Sequence, residues 1–278
     1  MLYSANVMKR NCTSIGRRRG AAAAFVEDRL AEGRVAFAMT ELVAETGLSV
    51  VAANNQLKRL GARIRRITRP QSFFLIVDPI HRAMGAPPLE WWLDAYFRWL
   101  AHPYYLALLS AAESHGTAPQ AVQVHQVMTD TPRREITVGR IRVRFFVKRG
   151  VERIAVQQPV GAYAPLRVST PEVTALDLLS YAPRIGGVGR ARETIASLVP
   201  LMRIGQLRQA LDAERSMTTA QRLGYILELS GADRLAGAVH DWLPSEVRWC
   251  SLRPGPTNEA KLQRSERWHV LVDEKDFA

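Results

Sequence analysis

Leu48-Ser49-Val50-Val51-Ala52-Ala53-Asn54-Asn55-Gln56-Leu57-Lys58-Arg59-Leu60-Gly61 is the stretch on which the fold turns. Ser49 is suited to cap a helix that ends near Leu60 and Gly61. Val50, Ala53, Leu57 and Leu60 follow one another at spacings of three, four and three, so the pattern puts them on one buried face. Working upstream, Thr40 can cap a short helix from Glu41 to about Thr46, and Gly47 supplies the tight turn between the two helices. Farther back, Ala21 to Gly33 reads as a first helix with Phe25, Val26, Arg29 and Leu30 at helical spacing. Downstream, Arg63 to Val77 alternates through Ile64 and Ile67, breaks at Arg69-Pro70-Gln71-Ser72 and resumes as an apolar run, which predicts a hairpin. Residues 21–80 therefore predict a winged helix-turn-helix, preceded by a basic flexible tail over residues 1–20.

The face opposite the apolar one carries Val51, Ala52, Asn54, Asn55, Lys58 and Arg59. Asn can bond adenine, Arg can bond guanine, and Val or Ala can pack on a thymine methyl in the major groove. Val51, Ala52, Asn54, Asn55 and Arg59 are the expected base readers, since the second helix of such a motif enters the groove. Ser49, Lys58, Arg63, Arg65, Arg66 and Arg69 are the expected phosphate and wing contacts, and no acid stands between Lys58 and Val77. A solvated surface ordinarily mixes signs, so this run favours a polyanion. RNA is disfavoured because Phe73 and Phe74 sit in an apolar run rather than interleaved with the charge.

The charge of the whole chain agrees. Its net charge is +12, and residues 1–82 hold fourteen Lys or Arg against six Asp or Glu, leaving only +4 for the rest. No apolar run is long enough to span a bilayer, and the Arg-rich start has no h-region, so a secretory signal is not expected. Cys12 and Cys250 are too few and too far apart for a disulfide framework or a zinc site. The expectation is a cytoplasmic protein, with no cofactor, no metal and no membrane contact.

Pro79, Pro87 and Pro88 punctuate a junction, residues 81–102, that carries an aromatic helix from Leu89 to Leu100. That helix reads as core, an interdomain seam or a dimer contact. Residues 103–278 predict a mixed α/β domain, so the fold class is α+β. A helix is expected over Tyr104 to Ser114, and strands at Val122 to Met128, Ile141 to Val147, Ile154 to Gln157 and Leu166 to Val168. Ser169 and Glu172 have capping-box spacing, with Pro171 in the first turn of the helix that follows. Four further helices are expected from Arg190 to Leu243, then strands near Val247 to Leu252 and Trp268 to Val272.

Candidate chemistry in this second domain is sparse. His115 and His125 lack metal-ligand spacing, and Gly186, Gly187 and Gly189 precede a helix without the GK[ST] of a phosphate loop. Asp130, Glu135 and Lys148 would form a nuclease-like cluster only if the fold brought them together. No catalytic residue is expected, although a nuclease delivered by the winged domain stays open as an alternative, as does a module that binds a partner toxin directly.

Several segments in order resemble the AbiEi family of type IV antitoxins. They are Leu48-Ser49 through Leu60 with its wing, Tyr104 to Ala112 followed by His115-Gly116, Gln123-Val124 leading to Gln126-Val127-Met128-Thr129, Val168-Ser169-Thr170-Pro171-Glu172, Thr174-Ala175-Leu176-Asp177-Leu178, and Gly186-Gly187. The resemblance implies a winged domain that represses its own operon at inverted repeats in double-stranded DNA. It also implies a carboxy-terminal domain that opposes a nucleotidyltransferase-like toxin without a stable complex. It carries over no antitoxicity residue.

Overall fold

The computed structural model describes residues 20–68, 72–117, 122–253, 262–273 and 276. The basic tail up to Arg19 and the wing-tip residue Arg69 lie outside them. The chain divides into two compact units, the first comprising residues 1–102, 135–142 and 163–165, the second the remainder. The fold is α+β.

In the first unit, α1 (Ala21–Ala31) buries Ala22, Phe25, Val26 and Arg29. A three-residue strand, β1 (Ala36–Ala38), leads directly into α2 (Met39–Thr46), which ends at Gly47 with φ 64°. That left-handed turn is what a glycine permits at low cost. Thr40 does not cap α2. It lies inside the helix, and Glu41 Oε1 instead accepts from the Ala38 N–H at 3.1 Å. Ser49 caps α3 (Val50–Arg59), its Oγ accepting from the Ala52 N–H at 3.2 Å. Strands β2 (Ile64–Arg66) and β3 (Phe73–Ile76) pair antiparallel, and β1 pairs with the other edge of β3, giving the order β1-β3-β2. Central β3 is buried throughout. Phe25, Phe37, Leu42, Leu57 and Phe74 share the core, with Phe37 stacked on Phe74 and edge-on to Phe25.

The aromatic segment is not one helix. A 3-10 turn at Leu89–Trp91 is followed by α4 (Leu93–Leu100), and Trp92 between them leaves helical backbone at φ −134°. Its fully buried indole donates to the Pro87 carbonyl at 3.3 Å, a tertiary bond that holds the break. The excursion 135–142 carries β6 (Ile136–Val138) and then Gly139 at φ 55°, where a side chain would collide with the Met84 carbonyl and Gly85. The Arg140 N–H donates to that same carbonyl at 2.8 Å.

In the second unit, β4 (Tyr104–Leu106) replaces the first turn of the expected 104–114 helix, and α5 starts only at Leu108 (Leu108–Ser114). Tyr104, Tyr105 and Leu106 pair antiparallel with Thr129, Met128 and Val127, so a tertiary ladder overrides a locally helical composition. Strand β5 (His125–Thr129) runs parallel to the Val143–Val147 stretch of β7 (Ile141–Val147). Strand β4 also pairs parallel with β9 (Val168–Ser169), and β9 antiparallel with β8 (Val156–Gln157). Thr170 rather than Ser169 caps α6 (Pro171–Ser180), because Ser169 is still in β9. Residues Pro171 to Leu179 are all buried, as befits a helix packed on every side.

Around α6 pack α7 (Ala182–Ile185), α8 (Gly187–Leu198), α9 (Ile204–Glu214) and α10 (Met217–Leu229). The last of these also packs against α11 (Asp233–Trp242). Gly187 and Gly189, expected in a loop, belong to the first turn of α8. Strands β10 (Cys250–Ser251), β11 (Gln263–Ser265) and β12 (Val270–Val272) form a small sheet in the order β10-β12-β11. Trp268, fully buried beside β12, fills the space that Gly224 leaves on α10.

Candidate nucleic-acid interface

Helix α3 is held from behind. Ala53 and Leu57 are buried, and Gln56 Oε1 accepts from the Ala22 N–H at 3.0 Å, which ties α3 to an unpaired donor at the start of α1. Arg29, 5% exposed, pairs with Glu32 at 3.0 Å and with Glu45 of α2, and lies over the Phe25 ring at 4.5 Å. The three helices are thus linked by an apolar core and a partly buried guanidinium.

The outward face differs from the sequence reading in ways that matter for recognition. Val51, Asn55, Lys58 and Arg59 are exposed, and Ala52 and Asn54 are half-buried. Asn54 Nδ2 donates to the Val50 carbonyl at 3.0 Å, so part of its amide is spent on its own helix. Val50 was expected in the core, yet it is 54% exposed beside Val51 at 71%. The cause is Leu48, whose buried side chain takes the core position just ahead of the cap. The first turn therefore shows two adjacent apolar side chains to solvent, a feature the spacing argument missed and the Leu48-Ser49 pair could have signalled.

The wing cations fall into two groups. Arg63 Nη2 pairs with Glu27 Oε1 at 2.5 Å, which turns it toward α1. Arg66 is folded onto its own hairpin, with Nε donating to the Thr68 carbonyl at 3.1 Å, Nη2 bonded to Ser72 and the guanidinium over Phe74. Arg65 on the other face of β2 is exposed, and among the described residues no ion pair involves Lys58, Arg59 or Arg65. Ser49 serves α3 as its cap. Val51, Asn55, Lys58, Arg59 and Arg65 are the predicted contacts that remain exposed without a partner of this kind.

Each member of the nuclease-like trio has other side-chain partners. Asp130 accepts from the hydroxyls of Thr129 and Thr131 in the second unit, whereas Glu135 pairs with Arg142 in the first. Lys148 instead lies between buried Asp177 at 2.5 Å and Glu214 at 2.6 Å, and Tyr105 Oη donates to Asp177 Oδ2 at 2.9 Å. Burial opposes the ammonium, but the two carboxylates outweigh it and raise the Lys148 pKa; burial lifts Asp177 against the pull of Lys148. Mutual compensation of this kind is what allows charges into a core. The cluster joins β4, α6, α9 and the end of β7. His115 donates through Nε2 to the Ser169 carbonyl at 2.8 Å, and Gln157 approaches its Nδ1 at 3.4 Å. Among the described residues no group of His, Cys, Asp or Glu is arranged to hold a metal, and no helix is long and apolar enough to cross a membrane.

Residues 105–229, from β4 to α10, match the family model of the AbiEi antitoxin C-terminal domain. The chain thus carries an AbiEi-type antitoxin C-terminal domain over just under half of its length. AbiEi proteins are the antitoxin partners of toxin–antitoxin pairs, and theirs is not an enzyme family. The buried Lys148, Asp177 and Glu214 cluster and the α6 cap all fall inside the AbiEi match. The crystal structure of the RV2827C protein from Mycobacterium tuberculosis is similar in fold, with a TM-score of 0.64 over 91% of each chain at 15% identity. No curated protein matches the chain.

Proposed function

We propose that this antitoxin is also a sequence-specific DNA-binding repressor of its own operon, with the first unit acting as a winged helix-turn-helix. The observation that carries the reading is the outer face of α3: Val51, Asn55, Lys58 and Arg59 are exposed on a helix anchored by Ala53, Leu57 and Gln56, and β2 adds the exposed Arg65. Apolar, amide and guanidinium groups there match the thymine methyl, adenine and guanine edges of the major groove. The unpaired cations supply the phosphate attraction that sets orientation and salt dependence.

Two copies on an inverted repeat would place two α3 helices one helical turn apart. The antitoxin domain opposes a nucleotidyltransferase-type toxin, without a stable complex, as the family likeness suggests. The test is footprinting of the chain on its own promoter, combined with co-expression of the neighbouring toxin gene. A protected inverted repeat, with growth restored and no toxin retained on tagged antitoxin, supports the reading. Absence of any protected site sinks the repressor part, and a toxin that co-purifies in fixed ratio replaces indirect opposition with direct binding.

A further inference from the structure

A cleft of about 690 Å³ opens within the first unit, in the size range of small-molecule sites. Core packing accounts for part of the aromatic segment beside it, since Trp92, Tyr96 and Phe97 are buried. It does not account for Trp91, Trp99 and Tyr163, which line the cleft and stay partly or largely exposed. Trp91 and Tyr163 stack with ring centroids 4.1 Å apart, which leaves one face of each ring uncovered by the other, and Trp99 meets Phe73 at 5.2 Å, tilted by 37°, so the walls are largely aromatic. The indole N–H groups of Trp91 and Trp99, both residues half-buried, have no protein acceptor among the described residues and are free to donate to a bound molecule.

The charges at the cleft are already matched. Arg34 pairs with Glu41 at 2.8 Å and lies 3.6 Å from Glu32, and Arg98 pairs with Asp94 at 2.8 Å. Both Glu41 oxygens are engaged, one by Arg34 and one by the Ala38 N–H. Neither a cation nor an anion therefore finds an uncompensated partner.

We propose that this cleft binds an uncharged planar heteroaromatic small molecule, stacked on the open aromatic faces and accepting hydrogen bonds from the indole N–H groups. An occupant would also touch Thr40 and Glu41 in the first turn of α2. The site stands whether or not α3 reads DNA.

Calorimetric titration of the full chain with adenosine and with indole tests it, with cyclohexylmethanol as the non-planar control and AMP as the charged one. Saturable binding of adenosine or indole is expected, with Kd on the order of 1 mM or tighter, cyclohexylmethanol clearly weaker and AMP no tighter than adenosine. Loss of one stacking face in Tyr163→Ala should weaken binding about fivefold or more. Because Tyr163 is 56% exposed, that variant should keep the wild-type circular dichroism spectrum, and Trp99→Leu provides a second reading of the wall. No saturable heat from adenosine or indole, equal binding of cyclohexylmethanol, tighter binding of AMP, or wild-type affinity in a folded Tyr163→Ala would overturn the proposal.

Discussion

Asn54 and Asn55 are neighbours of identical chemistry, and the fold treats them differently. Asn54 gives an amide proton to the Val50 carbonyl, whereas Asn55 is exposed and keeps its amide for a partner. Spacing alone put both on the outward face; the side-chain bond that separates them is a local competition no periodicity reveals. Asn55→Ala is accordingly expected to erode preference for the promoter over scrambled DNA by roughly 1 to 3 kcal/mol, read by competition binding, with Asn54→Ala close to wild type. Equal losses in the two variants would contradict this division. Arg29 makes a second residue-scale case. Its carboxylate partners are half exposed and can turn to water, so Arg29→Ala should cost about 2 kcal/mol, largely through the packing of its stem, and Arg29→Met should recover most of that in urea unfolding. A methionine variant as unstable as the alanine one would assign the stabilisation to charge instead.

At the scale of elements, legibility follows locality. The cap Ser49, the turn at Gly47 and the hairpin of β2 and β3 are set by neighbouring residues, and the sequence reading places them where they lie. Strand β1 has three residues and no period to detect, and β4 is a strand only because Thr129, Met128 and Val127 pair with it. The same non-local logic makes Gly224 critical: a methyl group there would overlap the buried Trp268 ring. Overpacking by Gly224→Ala is expected to destabilise by about 1 to 3 kcal/mol, seen as a lower urea midpoint, despite alanine's better helix propensity. A raised midpoint would show that Trp268 yields easily.

His115, just after α5, provides a pH test of the contact with β9. Burial lowers its pKa, against the opposing pull of the Ser169 carbonyl and Glu172. The unfolded chain therefore takes up a proton at this position first as pH falls through about 6.5, so this contribution to stability is intact above that pH and declines below it. Urea midpoints for wild type should fall more steeply from pH 7 to pH 5.5 than those of His115→Gln, and parallel profiles would remove His115 from the account.

At the scale of the whole molecule, composition already separated the two halves, with eight of the twelve net positive charges in residues 1–82. What composition left hidden is how many of those cations are spent internally. Arg29, Arg34 and Arg63 pair with acids of the same unit, and Arg66 is bonded to its own hairpin. Among the described residues, the cations left for the polyanion that we propose are fewer than the formal charge implies, chiefly Lys58, Arg59 and Arg65. The antitoxin domain shows the converse: its charged cluster of Lys148, Asp177 and Glu214 is buried, and no spacing rule links positions so far apart in the chain.

The most direct measurement is fluorescence anisotropy of the full chain on its own promoter and on scrambled DNA across a salt series, with Arg65→Ala and Arg63→Ala alongside wild type. The account predicts promoter-selective binding that weakens with salt, a slope reduced by about one in Arg65→Ala, and little change in Arg63→Ala, whose charge Glu27 already holds. Equal weak binding to both DNAs, with neither arginine affecting the slope, would contradict it.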